Sequence, residues 1–313
     1  MQPQPQDYDF ELDEALASVV GIRSIVPEDG FTAGILGTER SGNGVLINDK
    51  GVVLTIGYLI TEAETIWITL HDRNAVQGHV IAYDQETGFG LVQALTRLDL
   101  PSLPLGNSQE AEIGDSVIVG GVGGRHQAVA ANIVSKEEFA GYWEYLLDEA
   151  IFTAPGHQNW GGTAVIGASG DLLGIGSLQI QQGPENASGQ DYNMIVPIDL
   201  LKPILDDMMS FGRPQRPPRP WLGVYATEFG KHIVIAGLAS HGPALGAGVD
   251  SGDIVTAVDG AEVNTLASFY RRVWALGEAG VDVPLSINRD GRSFELYLQS
   301  IDRNQLLKSP ILH

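Results

Sequence analysis

His157-Gln158-Asn159-Trp160-Gly161-Gly162-Thr163-Ala164-Val165, with Gly170-Asp171-Leu172-Leu173-Gly174-Ile175-Gly176 close behind it, is the stretch that organises the chain. It sets a polar loop, an apolar strand, a turn and a Gly-Ile strand in direct succession. Its central residue, Trp160, has no proton removable at a useful pKa and no atom able to attack a carbonyl.

Outward from this loop the chain reads as short strands. Upstream, Ile113-Gly114-Asp115-Ser116-Val117-Ile118-Val119-Gly120-Gly121 is a turn leading into a buried strand, and 128–135 is a further strand. Residues 136–152 carry Glu137, Glu138, Phe139, Tyr142, Trp143, Glu144, Tyr145, Asp148 and Glu149. They form either a hairpin that presents rings and carboxylates to a partner, or a long edge hairpin whose charges discourage sheet pairing; the sequence favours the second. Before them, β-branched runs at 19–25, 44–47, 52–55, 65–70, 78–83 and 90–94 repeat at the close spacing of an antiparallel barrel. Asn48-Asp49-Lys50-Gly51 supplies a hairpin turn.

With 313 residues and 43% hydrophobic content, the chain is long enough for two or more domains and a sizeable core. Its 39 acidic and 18 basic residues give a net charge of -21, a field that repels phosphate backbones and anionic lipid surfaces, so nucleic acid is not an expected partner. No window has the apolar length of a membrane span. If Met1 is the native start, the first residues lack a signal peptide and the protein is cytoplasmic; it is periplasmic if a signal peptide has been removed. The absence of cysteine excludes thiol nucleophiles and thiolate metal sites.

Residues 1–14 are polar, Pro/Gln-rich and acidic, as expected of a disordered arm. A helix is expected over 199–211, its apolar positions 200, 201, 204, 205, 208 and 209 on one face and Pro203 in its first turn. Residues 212–220 hold four prolines and three arginines, a stiff spacer. Beyond it, 221–300 carries strands, an amphipathic helix over 266–275 and a terminal hairpin at 289–291. The tail 301–313 gives no readable signal.

These motifs, in this order, resemble the HtrA (Deg) family of trypsin-like serine proteases with a C-terminal PDZ domain, over about residues 16–300. The resemblance implies a mainly β fold: a chymotrypsin/trypsin-like double six-stranded β-barrel followed by a PDZ-like α+β domain. The peptidase domain would span 15–211, with barrels at about 15–99 and 100–198 and the closing helix at 199–211. The family's Gly-Asn-Ser-Gly-Gly-Pro is similar to 158–163 here, which places its nucleophile at Trp160. Its Leu-Thr-Asn-Asn-His-Val-Val is similar to 54–60, which places its histidine at Tyr58. Its Asp-X-X-Thr-Asp-Leu-Ala-Leu-Leu is similar to 84–92, which places its orienting carboxylate at Gly88. A phenol of pKa near 10 is no ready base at neutral pH, and glycine has no carboxylate. Three positions with three chemistries lost together imply a pseudoprotease, a serine-endopeptidase fold with no catalytic residues, in which Tyr58 and Trp160 plug the former cleft. Asn159–Gly161 would still shape the oxyanion region.

After the spacer, Trp221-Leu222-Gly223-Val224 and Ile233 … Ala239-Ser240-His241-Gly242-Pro243-Ala244 … Gly252-Asp253-Ile254 are similar to a PDZ module. The resemblance implies that Trp221, Leu222, Gly223 and Val224 turn backbone N–H groups towards a C-terminal carboxylate, with Phe269, Tyr270 and Val273 walling the groove or serving as core. The implied function is binding of protein C-termini or unfolded peptides in quality control or regulation. The implied assembly is a homotrimer to which Tyr8 and Phe10 contribute. Two alternatives stay open: an endopeptidase using displaced residues, with His157 and Thr163 as fallback candidates, and a ligand- or metal-binding protein reusing the interbarrel cleft. His71, His79, His126, His232, His241 and His313 show no tight ligand spacing, with His71 and His79 beside Asp72 the nearest to it, so no metal or cofactor is expected.

Overall fold

The computed structural model describes residues 1–181 and 191–308; the end of the tail, with His313, lies outside the described residues. The first six strands are β1 (Val19–Ile25), β2 (Glu39–Leu46), β3 (Val52–Ile56), β4 (Thr65–Thr69), β5 (Ala75–Tyr83) and β6 (Phe89–Ala94). They close into a barrel in the order β1-β2-β3-β6-β5-β4, antiparallel throughout. Strand β3 is buried on both faces, which its unbroken Val52-Val53-Leu54-Thr55-Ile56 run foreshadows. The second barrel comprises β7 (Ser116–Gly120), β8 (Ala128–Gly141), β9 (Tyr145–Ala154), β10 (Ala164–Ile166), β11 (Leu172–Gln181) and β12 (Asp191–Pro197), in the order β10-β11-β12-β9-β8-β7. The double six-stranded barrel is therefore present.

Two expectations need correction. Residues 1–14 are not a disordered arm. Helix α1 (Leu12–Ala17) begins inside them and buries Leu12 and Leu16, an i, i+4 pair on one face, while the Met1 carbonyl accepts from Ala130 N–H. The expected closing helix is broken. A 3-10 turn, Ile198–Leu200, is followed by turn residues, and the α-helix proper is Leu205–Phe211. Pro203 disfavours helical backbone at the residue before it, so the helix starts after the proline and not around it. In the tail, where the sequence gives no signal, Ile301 pairs with Trp221 and Arg303–Leu306 form a 3-10 turn.

The described residues divide into two compact units: Met1–Glu137 with Glu149–Gln215 and Lys308, and Glu138–Asp148 with Arg216–Leu307. The second unit is built on a sheet of β13 (Val224–Phe229), β14 (His232–Leu238), β15 (Ile254–Val258), β17 (Asp282–Arg289) and β18 (Arg292–Gln299), with the short β16 (Ala261–Glu262) beside β15. A one-turn helix (Pro243–Gly246) and a ten-residue helix (Leu266–Ala275) complete it. The longer helix starts where predicted because Thr265 and Ser268 form a reciprocal capping box. Phe269, Tyr270 and Val273 are all but inaccessible in the core of this unit, and Leu146 of the β8–β9 hairpin is buried among them.

Candidate functional site

Tyr58 sits on the 3-10 turn Gly57–Leu59 that follows β3, and Trp160 lies in the loop before β10. The turn and the loop belong to different barrels, and the two rings meet. The Trp160 indole lies beside the Tyr58 hydroxyl, which donates to the Ser177 carbonyl at 2.8 Å. That carbonyl is available because the β11–β12 register shifts between Gly176 and Leu178, leaving Ser177 out of the ladder. Burial pushes the Tyr58 hydroxyl well above the ordinary phenol range. At neutral pH its phenolate is scarcer still than that of a free tyrosine, so it is no ready general base.

Gly88 has φ +83° and closes a turn whose Asp84 carboxylate accepts from Thr87 N–H and Oγ1 at 2.9 and 2.7 Å. The Gly88 carbonyl takes the Gly57 N–H at 2.6 Å, so the position joins the backbone beneath Tyr58 and offers it no carboxylate.

The loop around Trp160 is held by Asn43 of β2. Its backbone N–H donates to Gly161 O, its Nδ2 to Asn159 O and Gly161 O, and its Oδ1 accepts from Val122 N–H. Gly162, at φ +78°, lies so close to the Asn43 carbonyl that a Cβ would collide with it. A Cβ on Gly161 would stand 2.6 Å from the Tyr58 hydroxyl oxygen. The two glycines thus serve packing that does not depend on a nucleophile.

His157 and Thr163 are buried and each has its own partners. His157 Nδ1 accepts from Asn159 N–H at 3.1 Å, so its proton is on Nε2, which lies 3.0 Å from the Gln127 carbonyl. Burial holds the imidazole below its usual pKa. Thr163 Oγ1 donates to the Trp160 carbonyl at 2.9 Å. Neither imidazole nitrogen is turned to the threonine hydroxyl. Tyr8 and Phe10 are half-buried with ring centroids 5.5 Å apart, and Phe10 packs on Gly170 of its own chain. Among the described residues no group of three or more His, Asp and Glu is arranged to hold a metal. No helix there is long and apolar enough to cross a membrane.

The second candidate site is the loop before β13. The amides of Leu222, Gly223 and Val224 converge on the side chain of Glu144. Trp221 takes no part in this cradle. Its N–H pairs with the Ile301 carbonyl, and its ring covers Gly223. Phe269 and Val273 are core; Tyr270 is buried too, but its hydroxyl donates to the Gly141 carbonyl at 2.9 Å. Glu144 was read only as one charge of an edge hairpin. Its position at the centre of Tyr142-Trp143-Glu144-Tyr145, where a tight turn favours glycine, was the available signal.

Two closed antiparallel barrels followed by a small sheet-and-helix domain with an amide cradle define a trypsin-like peptidase fold carrying a PDZ module. Family models agree, a trypsin-like peptidase domain matching residues 42–175 and a PDZ domain matching 220–299. The relatives and solved structures it is similar to are of HtrA/DegP type. The chain is 28% identical over 274 residues to the periplasmic pH-dependent serine endoprotease DegQ of Escherichia coli (strain K12), covering 82% of this chain and 58% of that protein. It is 26% identical over 287 residues to a probable periplasmic serine protease do/HhoA-like of Haemophilus influenzae, covering 85% of this chain and 59% of that one. The chain thus spans a little under three fifths of these relatives' length. Among solved structures, the HtrA-type protease AlgW with decapeptide superimposes with a TM-score of 0.55 at 19% identity, covering 96% of this chain and all of that one. A serine endoprotease from Yersinia pestis gives 0.53 at 20% identity, over 94% and 98% of the two chains.

Proposed function

We propose that this chain is an HtrA-like pseudoprotease that acts by binding peptides or protein C-termini through its PDZ domain, in protein quality control or regulation. The observation that supports it best is the hydrogen bond that commits the Tyr58 hydroxyl to the Ser177 carbonyl, beside Trp160. Acyl transfer needs a hydroxyl or thiol, a base within hydrogen-bond reach and an orienting group for that base. Here the corresponding positions hold an indole, a phenol of raised pKa engaged on a backbone carbonyl, and a glycine. The displaced pair His157 and Thr163 does not supply the missing contact, since each is saturated by backbone groups. A periplasmic location follows the relatives' printed names and is part of the proposal.

The test is hydrolysis of fluorescently labelled casein by the purified chain beside Thr163→Ala and His157→Ala. The expected result is no turnover above buffer by any form. Turnover by the parent chain that disappears in Thr163→Ala would establish a displaced nucleophile and end the pseudoprotease proposal.

A further inference from the structure

Residues 138–148, the distal part of the β8–β9 hairpin, form one compact unit with 216–307. Within that unit the hairpin meets the PDZ cradle in three ways. Glu144 Oε1 accepts from Gly223 N at 2.7 Å and Val224 N at 3.0 Å, and Oε2 from Leu222 N at 2.9 Å. Two residues earlier, the Tyr142 carbonyl accepts from Ala226 N–H at 2.9 Å, and Ala226 is itself two residues beyond Val224 on β13. The Tyr270 hydroxyl, on the helix opposite, donates to the Gly141 carbonyl. An extended peptide ending in a carboxylate would make the same kinds of bond: its terminus on consecutive amides, and a strand-type bond one side-chain repeat further along both chains.

The backbone points the same way. Glu144 has φ +60°, a conformation glycine adopts freely and glutamate does not, so the position carries a side chain where a turn alone would favour none. The carboxylate is buried, and three amides counteract its desolvation. Arg271 of the longer helix pairs with both Glu138 and Asp148, one from each strand of the hairpin, and Leu146 is buried in the core of the unit.

We propose that Glu144 is the resident ligand of the PDZ domain, an internal carboxylate seated in the terminal-carboxylate cradle, so that a protein C-terminus binds only by displacing the hairpin tip. This rests on the peptide-binding function above and narrows it to ligands with a free terminal carboxylate able to compete with Glu144.

The test compares the full chain with Glu144→Ala and Glu144→Asp, the latter keeping the charge on a shorter stem. Backbone amide exchange is read at Leu222, Gly223 and Val224, with β15 and β17 as folding controls. Binding is read by fluorescence polarisation with a pool of labelled random decapeptides having free C-termini, and with the same pool amidated. In Glu144→Ala the three amides are expected to exchange at least about tenfold faster while the controls hold. The free-carboxylate pool is expected to bind at least about tenfold more tightly than to the parent, and the amidated pool not at all. Glu144→Asp should shift both readouts in the same direction, and it decides the matter if Glu144→Ala loses its control protection. Unchanged exchange at the three amides in both variants overturns the resident contact. Equal affinity of all forms for the free-carboxylate pool overturns displacement alone. Absence of binding by every form, with the amides released in Glu144→Ala, overturns displacement together with the peptide-binding function.

Discussion

The hydroxyl of Tyr58 lies 2.8 Å from the carbonyl oxygen of Ser177, a bond that ties the turn after a first-barrel strand to a bulge in the second barrel. In Tyr58→Phe that carbonyl loses its partner in a half-buried place. The expected cost is about 1–2 kcal/mol, read as a lower urea midpoint at unchanged slope. No change in midpoint would mean that water replaces the hydroxyl without loss.

Under the pseudoprotease proposal, restoring one residue of three should restore nothing. Trp160→Ser would place a hydroxyl in the loop, but Tyr58 is held above the ordinary phenol range and Gly88 brings no carboxylate. Casein hydrolysis by Trp160→Ser is therefore expected to stay at the buffer rate. Turnover above it would reveal an unrecognised base beside residue 160.

Gly162→Ala is expected to destabilise the peptidase unit by more than ~2 kcal/mol, because the alanine must adopt a positive φ and its Cβ meets the Asn43 carbonyl. The same substitution at Gly246, where φ is not positive and no heavy atom stands within 4 Å of a Cβ, should be neutral or slightly favourable. Chemical denaturation of the two variants side by side makes the comparison.

His157 should make the chain acid-sensitive. Its folded-state pKa lies below its usual value, so its contribution is present above about pH 6.5 and is lost as pH falls through the depressed value. The difference in melting temperature between the parent and His157→Gln should therefore shrink as pH drops from about 7 to 5. A difference that grows in acid would place the charged imidazole, and not the neutral one, in the folded state.

Glu144 should act with the opposite sign. Burial pushes its carboxyl up to about 7 from 4.5, against the pull of the three amides and of Arg303, while the facing Tyr225 and Tyr270 remain neutral throughout. A raised folded-state pKa gives stability that is complete below about 4.5 and lost as pH rises through about 7. The parent should lose on the order of 3 kcal/mol relative to Glu144→Gln across that window. Melting curves of both chains at pH 4.5, 6 and 8 test it, and a constant offset would show a carboxylate that is ionised throughout.

The barrels were legible because period and burial coincide there: Val19–Ile25 and Val52–Ile56 are strands whose apolar pattern leaves little choice. Tyr58, Gly88 and Trp160, the positions that the resemblance aligns with the family's triad, lie inside motifs that otherwise hold their order. What escaped depended on contacts between distant residues. Leu12 and Leu16 form a helix face only because a core receives them, and a composition-based reading of the first 14 residues cannot register that. The break before Leu205 reflects a local rule, the restriction that Pro203 imposes on Lys202, which the apolar pattern of the segment outweighed. Glu144 was hidden more deeply. A carboxylate among eight other charged or aromatic residues between 137 and 149 looks solvated until the fold brings 222–224 to it, 78 to 80 positions along the chain.

A carboxylate delivered by its own hairpin is present at a fixed effective concentration, of the millimolar order typical of short tethers. Under the resident-ligand proposal, no dilution of the protein removes this competitor. It would weaken every external C-terminus by the same factor, so the order of preference among partners would survive while the least avid drop out of reach. The β8–β9 tip would then set a threshold: the domain would respond to C-termini that are abundant or presented in arrays, and would ignore those met singly.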